Sequence, residues 1–287
     1  MIKLLALDLD GTLLNSRGEV PDANRRAIRA AEEAGVLVTI ASGRRFRDAR
    51  PVGLDLELNA PLITHNGALL KYAQDERTVA CSLLDPATAL EIVRVGKMAG
   101  GDPLVSTDPY GHGELLYDRV SEHNIPLKKY LRWSETLHGG EAGREGVRHV
   151  ANLDDAVSKN EVVHISFSGP VEAMLEFVAV LKEELGDTVT LLETIYPRLD
   201  FTLIDILPHN ASKGHGVSKL AELNDLSHDE IMVVGDNFND IEMLELAGTP
   251  VVMGNADERL RHRDGFYTTL TNDEGGVAAA IERFILT

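Results

Sequence analysis

The apolar run Ile2 to Leu7 passes directly into Asp8-Leu9-Asp10-Gly11-Thr12, and this junction restricts the fold more than any other stretch of the chain. A short apolar run of this kind reads as a strand covered on both faces, as in parallel sheets flanked by helices. Residues just beyond its carboxyl end fall in the crevice where open α/β sheets bind ligands. Side chains alternate along extended backbone, so Asp8 and Asp10 can point the same way while Gly11 lets the chain turn sharply. Two carboxylates so placed suit a nucleophile and a proton carrier. An Asx turn with Asp-Gly as its central pair is the plainer alternative.

Three further junctions carry complementary chemistry. Val36 to Ala41 reads as a second buried strand that ends in Ser42-Gly43-Arg44; the serine can donate to a phosphoryl oxygen and the glycine permits close backbone approach, although Ser-Gly is also a routine loop start. Lys213-Gly214 follows Asn210-Ala211-Ser212, where Asn210 or Ser212 can cap a helix running toward Leu223. A lysine in a first helical turn opposes the macrodipole, which points to an anion at that end; a solvated surface lysine is the alternative. Ile231 to Val234 leads into Gly235-Asp236-Asn237-Phe238-Asn239-Asp240. Two aspartates and two amides in six residues suit a hard, oxygen-seeking cation such as Mg²⁺, with a helix-capping turn as the alternative.

In their order, these four motifs resemble those of the haloacid dehalogenase superfamily, and in particular its Cof-like sugar-phosphatase branch. Asn66-Gly67-Ala68, Val252-Met253-Gly254-Asn255-Ala256 and Thr271-Asn272-Asp273-Glu274-Gly275-Gly276-Val277 extend the resemblance over nearly the whole chain. The long separation of Ser42 from Lys213 is similar to that in members with a large α/β cap inserted there. The resemblance implies an α/β fold, with a Rossmann-like, doubly wound parallel-sheet core formed by residues 1–84 and 209–287 and an inserted α/β cap formed by 85–208. The stretch from Gly111 to Lys159 is the least family-like, so substrate choice rests in the least similar part.

The resemblance implies an Mg²⁺-dependent phosphatase acting on small phosphate monoesters, in particular sugar phosphates. Asp8 is expected to attack phosphorus and form an aspartyl-phosphate, with Asp10 serving as acid and then base. Thr12 is expected to hold Asp10. Mg²⁺ is expected on the Asp8 carboxylate, the Asp10 main-chain carbonyl and Asp236. Leu9, Thr12, Ser42, Gly43, Lys213 and Asn239 form the expected phosphate-binding set. Asp240 is expected to orient Lys213 or a metal-bound water, and Arg44, Asn66 and Gly67 to support the site. A phosphomutase and a non-catalytic sugar-phosphate-binding regulatory protein are the alternatives from other classes. A structural or interaction protein is a further one, and predicts no effect of metal.

Composition narrows the field. A formal charge of -18 argues against nucleic acid or an anionic membrane as partner, and the small phosphorylated metabolite that the resemblance implies is itself an anion. Within the crevice, Mg²⁺, Lys213, Arg44 and main-chain N–H groups must outweigh that global charge at short range. Cys81 is the single cysteine, so no intrachain disulfide and no thiolate zinc cluster can form, and a reducing cytoplasm fits. No signal peptide and no membrane-spanning run is read, and a monomer or weak homodimer is expected. The ten histidines show no metal-binding spacing; His65 alone stands at a strand end expected to border the crevice. The sequon Asn210-Ala211-Ser212 reads as a helix cap.

The remaining patterns give helices at Asp22 to Ala34, Asp85 to Met98 and Val171 to Leu185, and a hairpin from Pro61 to Tyr72 around Asn66-Gly67. Strands are expected at Leu104 to Ser106, Glu114 to Tyr117, Val162 to Ser168, Thr188 to Glu193 and Leu199 to Ile206. Gly111-His112-Gly113 reads as a hairpin loop and His138 to Gly146 as a polar Gly-rich loop. Tyr130, Arg132 and Trp133 could form an aromatic platform for a sugar, with ordinary packing the plainer account.

Overall fold

The computed structural model describes residues 1–137, 146–196, 200–209 and 211–287. Most of the expected His138 to Gly146 loop, the expected strand start at Leu199 and the Asn210 of the expected cap lie outside these residues. The chain forms two compact units, Met1–Ala80 with Ser212–Thr287, and the intervening Cys81–Ala211.

The first unit opens with β1 (Leu4–Leu7), four aliphatic residues that are all fully buried. Helix α1 (Asp22–Glu33) follows, burying Ala27, Ile28 and Ala31 on one face and ending before Gly35, whose φ of 86° breaks the helix. Strand β2 (Leu37–Ile40) pairs parallel with β1, Leu7 opposite Ile40. Helix α2 (Phe46–Asp55) is absent from the sequence pattern because it contains Pro51 and Gly53. Packing overrides propensity there: Phe46 and Ala49 are buried, and a Cβ on Gly53 would come within 2.9 Å of Leu62. The expected hairpin is β3 (Leu62–Thr64) and β4 (Leu69–Lys71), antiparallel, joined to β5 (Thr78–Cys81) in a small sheet.

The second unit begins with α3 (Pro86–Met98), capped by the Asp85 carboxylate, which accepts from the N–H groups of Ala87 and Thr88. Strands β6 (Leu104–Thr107), β7 (Glu114–Tyr117), β8 (Val147–His149), β9 (Val162–Gly169), β10 (Val189–Tyr196) and β11 (Phe201–Pro208) form one mixed sheet in the order β10-β11-β9-β6-β7-β8. Helices α4 (Ile125–Leu137), α5 (Leu153–Val157) and α6 (Val171–Leu185) are the unit's further α-helices among the described residues. Alternation along the strands sends Ile165, Phe167, Ile204 and Ile206 into one core with Ile92 and Val93 of α3 and Phe177 and Leu181 of α6. Tyr130 of α4 packs beside a smaller cluster of Leu104, Leu115 and Leu127, which accounts for it without a sugar.

The chain returns to the first unit through α7 (Lys213–Glu222), β12 (Ile231–Gly235), α8 (Ile241–Leu246), β13 (Thr249–Val252), α9 (Glu258–Arg261), β14 (Tyr267–Thr268) and α10 (Gly276–Phe284). The core sheet is parallel throughout, in the order β14-β13-β12-β1-β2. β1 therefore lies between β2, which follows it in sequence, and β12, which arrives from beyond the insertion. That reversal of strand order opens a crevice at the carboxyl ends of β1 and β12.

Candidate active site

Register brings the expected residues together. Leu7 faces Val234 on one side and Ile40 on the other, so Asp8, Ser42 and Asp236 emerge along one edge of the sheet. The Asp8 N–H stays in the ladder, donating to the Val234 carbonyl at 2.9 Å, which makes this carboxylate an extension of a rigid strand. Gly11 then turns the chain at φ 85°, a conformation that favours glycine. A Cβ at that position would overlap the Asp236 carboxylate.

Lys213 is the first residue of α7 and is only 2 % exposed. Ser212 caps the helix by accepting from the His215 N–H at 3.0 Å. The lysine Nζ contacts Asp8 Oδ1 at 2.6 Å and Asp240 Oδ1 at 2.7 Å, so the anions at this helix start are the protein's own carboxylates. Burial opposes the lysine charge, but Asp240 and Asp8 outweigh it and raise the pKa above its ordinary value. The other Asp240 oxygen accepts from the N–H groups of Asp236 and Asn237, both at 3.0 Å. Asp240 thus locks the loop after β12 and aims Lys213 at Asp8.

Asp8, Asp236 and Asp240 offer oxygens within 4.8 Å of one another, an all-oxygen set of the kind that holds a hard divalent cation. Burial pushes the Asp8 carboxyl well above the usual range; Lys213 pulls against this, while Asp240 and Asp236 add to it. Burial, then the Asp240 charge, push Asp236 up to about 6. One lysine does not neutralise three carboxylates, and a bound cation would supply the missing charge.

Two side chains find partners that the sequence-based expectation did not name. The Thr12 hydroxyl donates to Asp236 Oδ1 at 3.2 Å, so it steadies Asp236 where it was expected to hold Asp10. Arg44 holds Asp10 instead, through a two-pronged pair of 2.8 Å and 2.6 Å, with the Asp10 side chain 59 % exposed. Sequence carried no signal for this pairing, because the partners are 34 residues apart and meet only through sheet register. Asp10 contributes no carboxylate to the three-aspartate cluster.

Ser42 and Gly43 are braced by the turn after β3. His65, Asn66 and Gly67 have successive φ values of 52°, 50° and 94°, a run of left-handed residues that is costly outside glycine. The turn holds its shape because the Asn66 N–H donates to the Ser42 carbonyl at 3.0 Å and the His65 N–H to the Arg44 carbonyl at 2.9 Å. Gly67 admits no side chain, since a Cβ would overlap the Ser212 carbonyl. Leu9 is fully buried behind the site. Asn239 presents a buried Oδ1 that has no hydrogen-bond partner among the described residues.

Residues 5–281 match the family model of the haloacid dehalogenase-like hydrolases. The chain belongs to that family. This hydrolase is 28 % identical, over 99 % of its own length and 98 % of the other's, to the 5-amino-6-(5-phospho-D-ribitylamino)uracil phosphatase YwtE of Bacillus subtilis. It is 30 % identical to the pyridoxal phosphate phosphatase YbhA of Escherichia coli, with 91 % of each chain covered. The X-ray structure of TM0651 from Thermotoga maritima superposes with a TM-score of 0.80 at 28 % identity, covering 99 % and 98 % of the two chains. The hydrolase is thus a phosphatase of small phosphomonoesters, with a parallel core sheet and an inserted mixed sheet. No helix among its described residues is long and apolar enough to cross a membrane.

Proposed function

We propose that this phosphatase hydrolyses sugar phosphates and related small phosphorylated metabolites through an aspartyl-phosphate on Asp8, with Mg²⁺ as cofactor. The observation that carries the reading is the buried Lys213, held between Asp8 and Asp240 beside Asp236 at the switch point of the sheet. The phosphorylated ribityl chain in the named substrate of the Bacillus relative supports the substrate class. Asp8 and Asp236 would hold Mg²⁺ together with the Asp10 carbonyl, and the bound ion would offset charge on the nucleophile and the phosphoryl oxygens.

In the first step an Asp8 oxygen bonds to phosphorus while the ester oxygen leaves and takes a proton from Asp10. In the second, water attacks the same phosphorus, Asp10 takes the water's proton, and the Asp8–phosphorus bond breaks. The two-pronged Arg44 pair orients the Asp10 carboxyl that both steps use. Lys213, Ser42 and Asn239 are assigned to the phosphoryl oxygens, with the main chain at Gly43 leaving room for them. We assign substrate choice to the inserted unit, Cys81–Ala211.

The test is Asp10→Asn. With an aryl phosphate, whose phenolate leaves unaided, the variant should release about one phenolate per site and stall with hydroxylamine-sensitive phosphate on Asp8. With a sugar phosphate it should show no burst. Wild-type turnover of sugar phosphates by the variant would remove Asp10 from the mechanism, and phosphate trapped on another residue would remove Asp8.

A further inference from the structure

Two stretches have no part in the reaction so far, Val252–Ala256 and Thr271–Val277, and both end on the backbone of the catalytic loop. Beyond Asp8 the main chain makes one wide turn, with the Leu13 N–H donating to the Asp8 carbonyl at 3.2 Å and the Leu14 N–H to the Leu9 carbonyl at 3.0 Å. Three carbonyls of that loop accept from asparagine amides belonging to three different parts of the chain. Asn255 Nδ2 reaches Gly11 at 2.9 Å, Asn24 Nδ2 of α1 reaches Leu13 at 3.3 Å, and Asn272 Nδ2 reaches Leu14 at 2.9 Å.

The same asparagines are tied behind. Asn255 Oδ1 accepts from the Asn272 N–H at 2.9 Å, and Asn24 Oδ1 accepts from the Ala278 N–H at 3.1 Å. The adjoining Asp273 Oδ1 accepts from the Ser16 N–H at 2.8 Å, where a donor is what the loop offers. Asn24 and Asn255 each donate and accept at once, which a short amide can do and an ionised carboxylate cannot. In a chain with 46 acidic residues, amides stand at the three positions that face carbonyl oxygens and a carboxylate at the one that faces an N–H. Chemistry, and not composition, sorts them.

We propose that Asn24, Asn255 and Asn272 are positioning residues for phosphoryl transfer. They hold the backbone from Gly11 to Leu14 and so set where Asp10 stands relative to Asp8. The Asp10 side chain is largely exposed, so its aim depends on the main chain that carries it. The segment from Thr271 to Ala278 is on this account part of the catalytic apparatus, although it places no group on the substrate. The inference rests on Asp10 acting as acid and base.

Asn255 is exposed, so Asn255→Ala should fold. Its kcat for phosphate release should fall about ten- to a hundredfold, the scale of an ångström-sized misplacement, with KM within about threefold of wild type. Asn272→Ala should behave alike. Added to Asp10→Asn, Asn255→Ala should cost no more than about twofold, because its route to the reaction is already lost. Asn59→Ala is the control: Asn59 also bridges main chain, from Val36 at 2.9 Å to Val38 at 2.8 Å, far from the loop in sequence, and its loss should lower Tm without lowering kcat. Wild-type kcat in both clamp variants, beside a crippled Asp10→Asn, would overturn the clamp while leaving Asp10 in place. Full additivity in the double variant would overturn the route through Asp10. An undiminished Asp10→Asn would instead sink the acid-base reading on which the proposal stands.

Discussion

Lys213→Met removes one charge and retains much of the side chain's length, which isolates the electrostatics of the site. Lys213 is the cation that contacts both Asp8 and Asp240, at 2.6 Å and 2.7 Å, and all three groups are buried. Breaking a buried ion pair by deleting one partner costs about 3–5 kcal/mol. With roughly 2–4 °C lost per kcal/mol for a unit of this size, the metal-free variant should melt about 6–20 °C below wild type at pH 7.5. The pH dependence follows from the raised carboxyls. Because Asp236 stands at about 6, the folded chain keeps a proton that the unfolded chain sheds between the ordinary value of 3.8 and about 6, and burial shifts Asp8 in the same direction. Metal-free stability should therefore fall as pH rises through that window. Without the lysine both carboxyls rise further, so the gap between variant and wild type should be smaller at pH 5 than at pH 7.5. Melting curves at the two pH values, with chelator and with Mg²⁺, measure all of this; saturating Mg²⁺ should narrow the gap at pH 7.5. Equal melting of the two chelated proteins at pH 7.5 would refute the idea that Lys213 holds the carboxylates together.

Chelator should abolish phosphatase activity and Mg²⁺ restore it, with Ca²⁺ a poor substitute because of its larger, looser shell; full activity in excess chelator would remove the cation from the site. Titration at pH 5 and 7.5 should show weaker Mg²⁺ binding at the lower pH, where Asp236 holds its proton. Gly11→Ala should lower kcat at least about a hundredfold by displacing the Asp236 carboxylate and straining a left-handed turn, and should weaken stabilisation by Mg²⁺. Gly67→Ala should destabilise the chain by about 2–4 kcal/mol, since its Cβ must push the Ser212 carbonyl away in a left-handed turn; an unchanged melting curve would show that this approach is not tight.

What sequence alone determined was local. The run Leu4–Leu7 is a buried strand because its aliphatic side chains have no hydrophilic face to present, and Asp8 follows it because the polar pattern begins there. The helices Pro86–Met98 and Val171–Leu185 are equally local, set by periodicity and by flanking Asp85 and Gly186. Helix α2 was not, because Pro51 and Gly53 argue against it until Leu62 and Ala73 arrive to pack on it. Which charge meets which was decided by tertiary structure alone. Asp8 and Lys213 are 205 residues apart, Gly11 and Asn255 244, and their contact depends on β12 taking its place beside β1. A residue's type states what it can donate or accept, and only the fold brings it a partner. Hence the carboxylates and the lysine could be read as reagents in the sequence, whereas the three asparagines meeting the Gly11 to Leu14 backbone, Thr12 turning to Asp236 and Arg44 to Asp10 could be known only once the strands had set the distances.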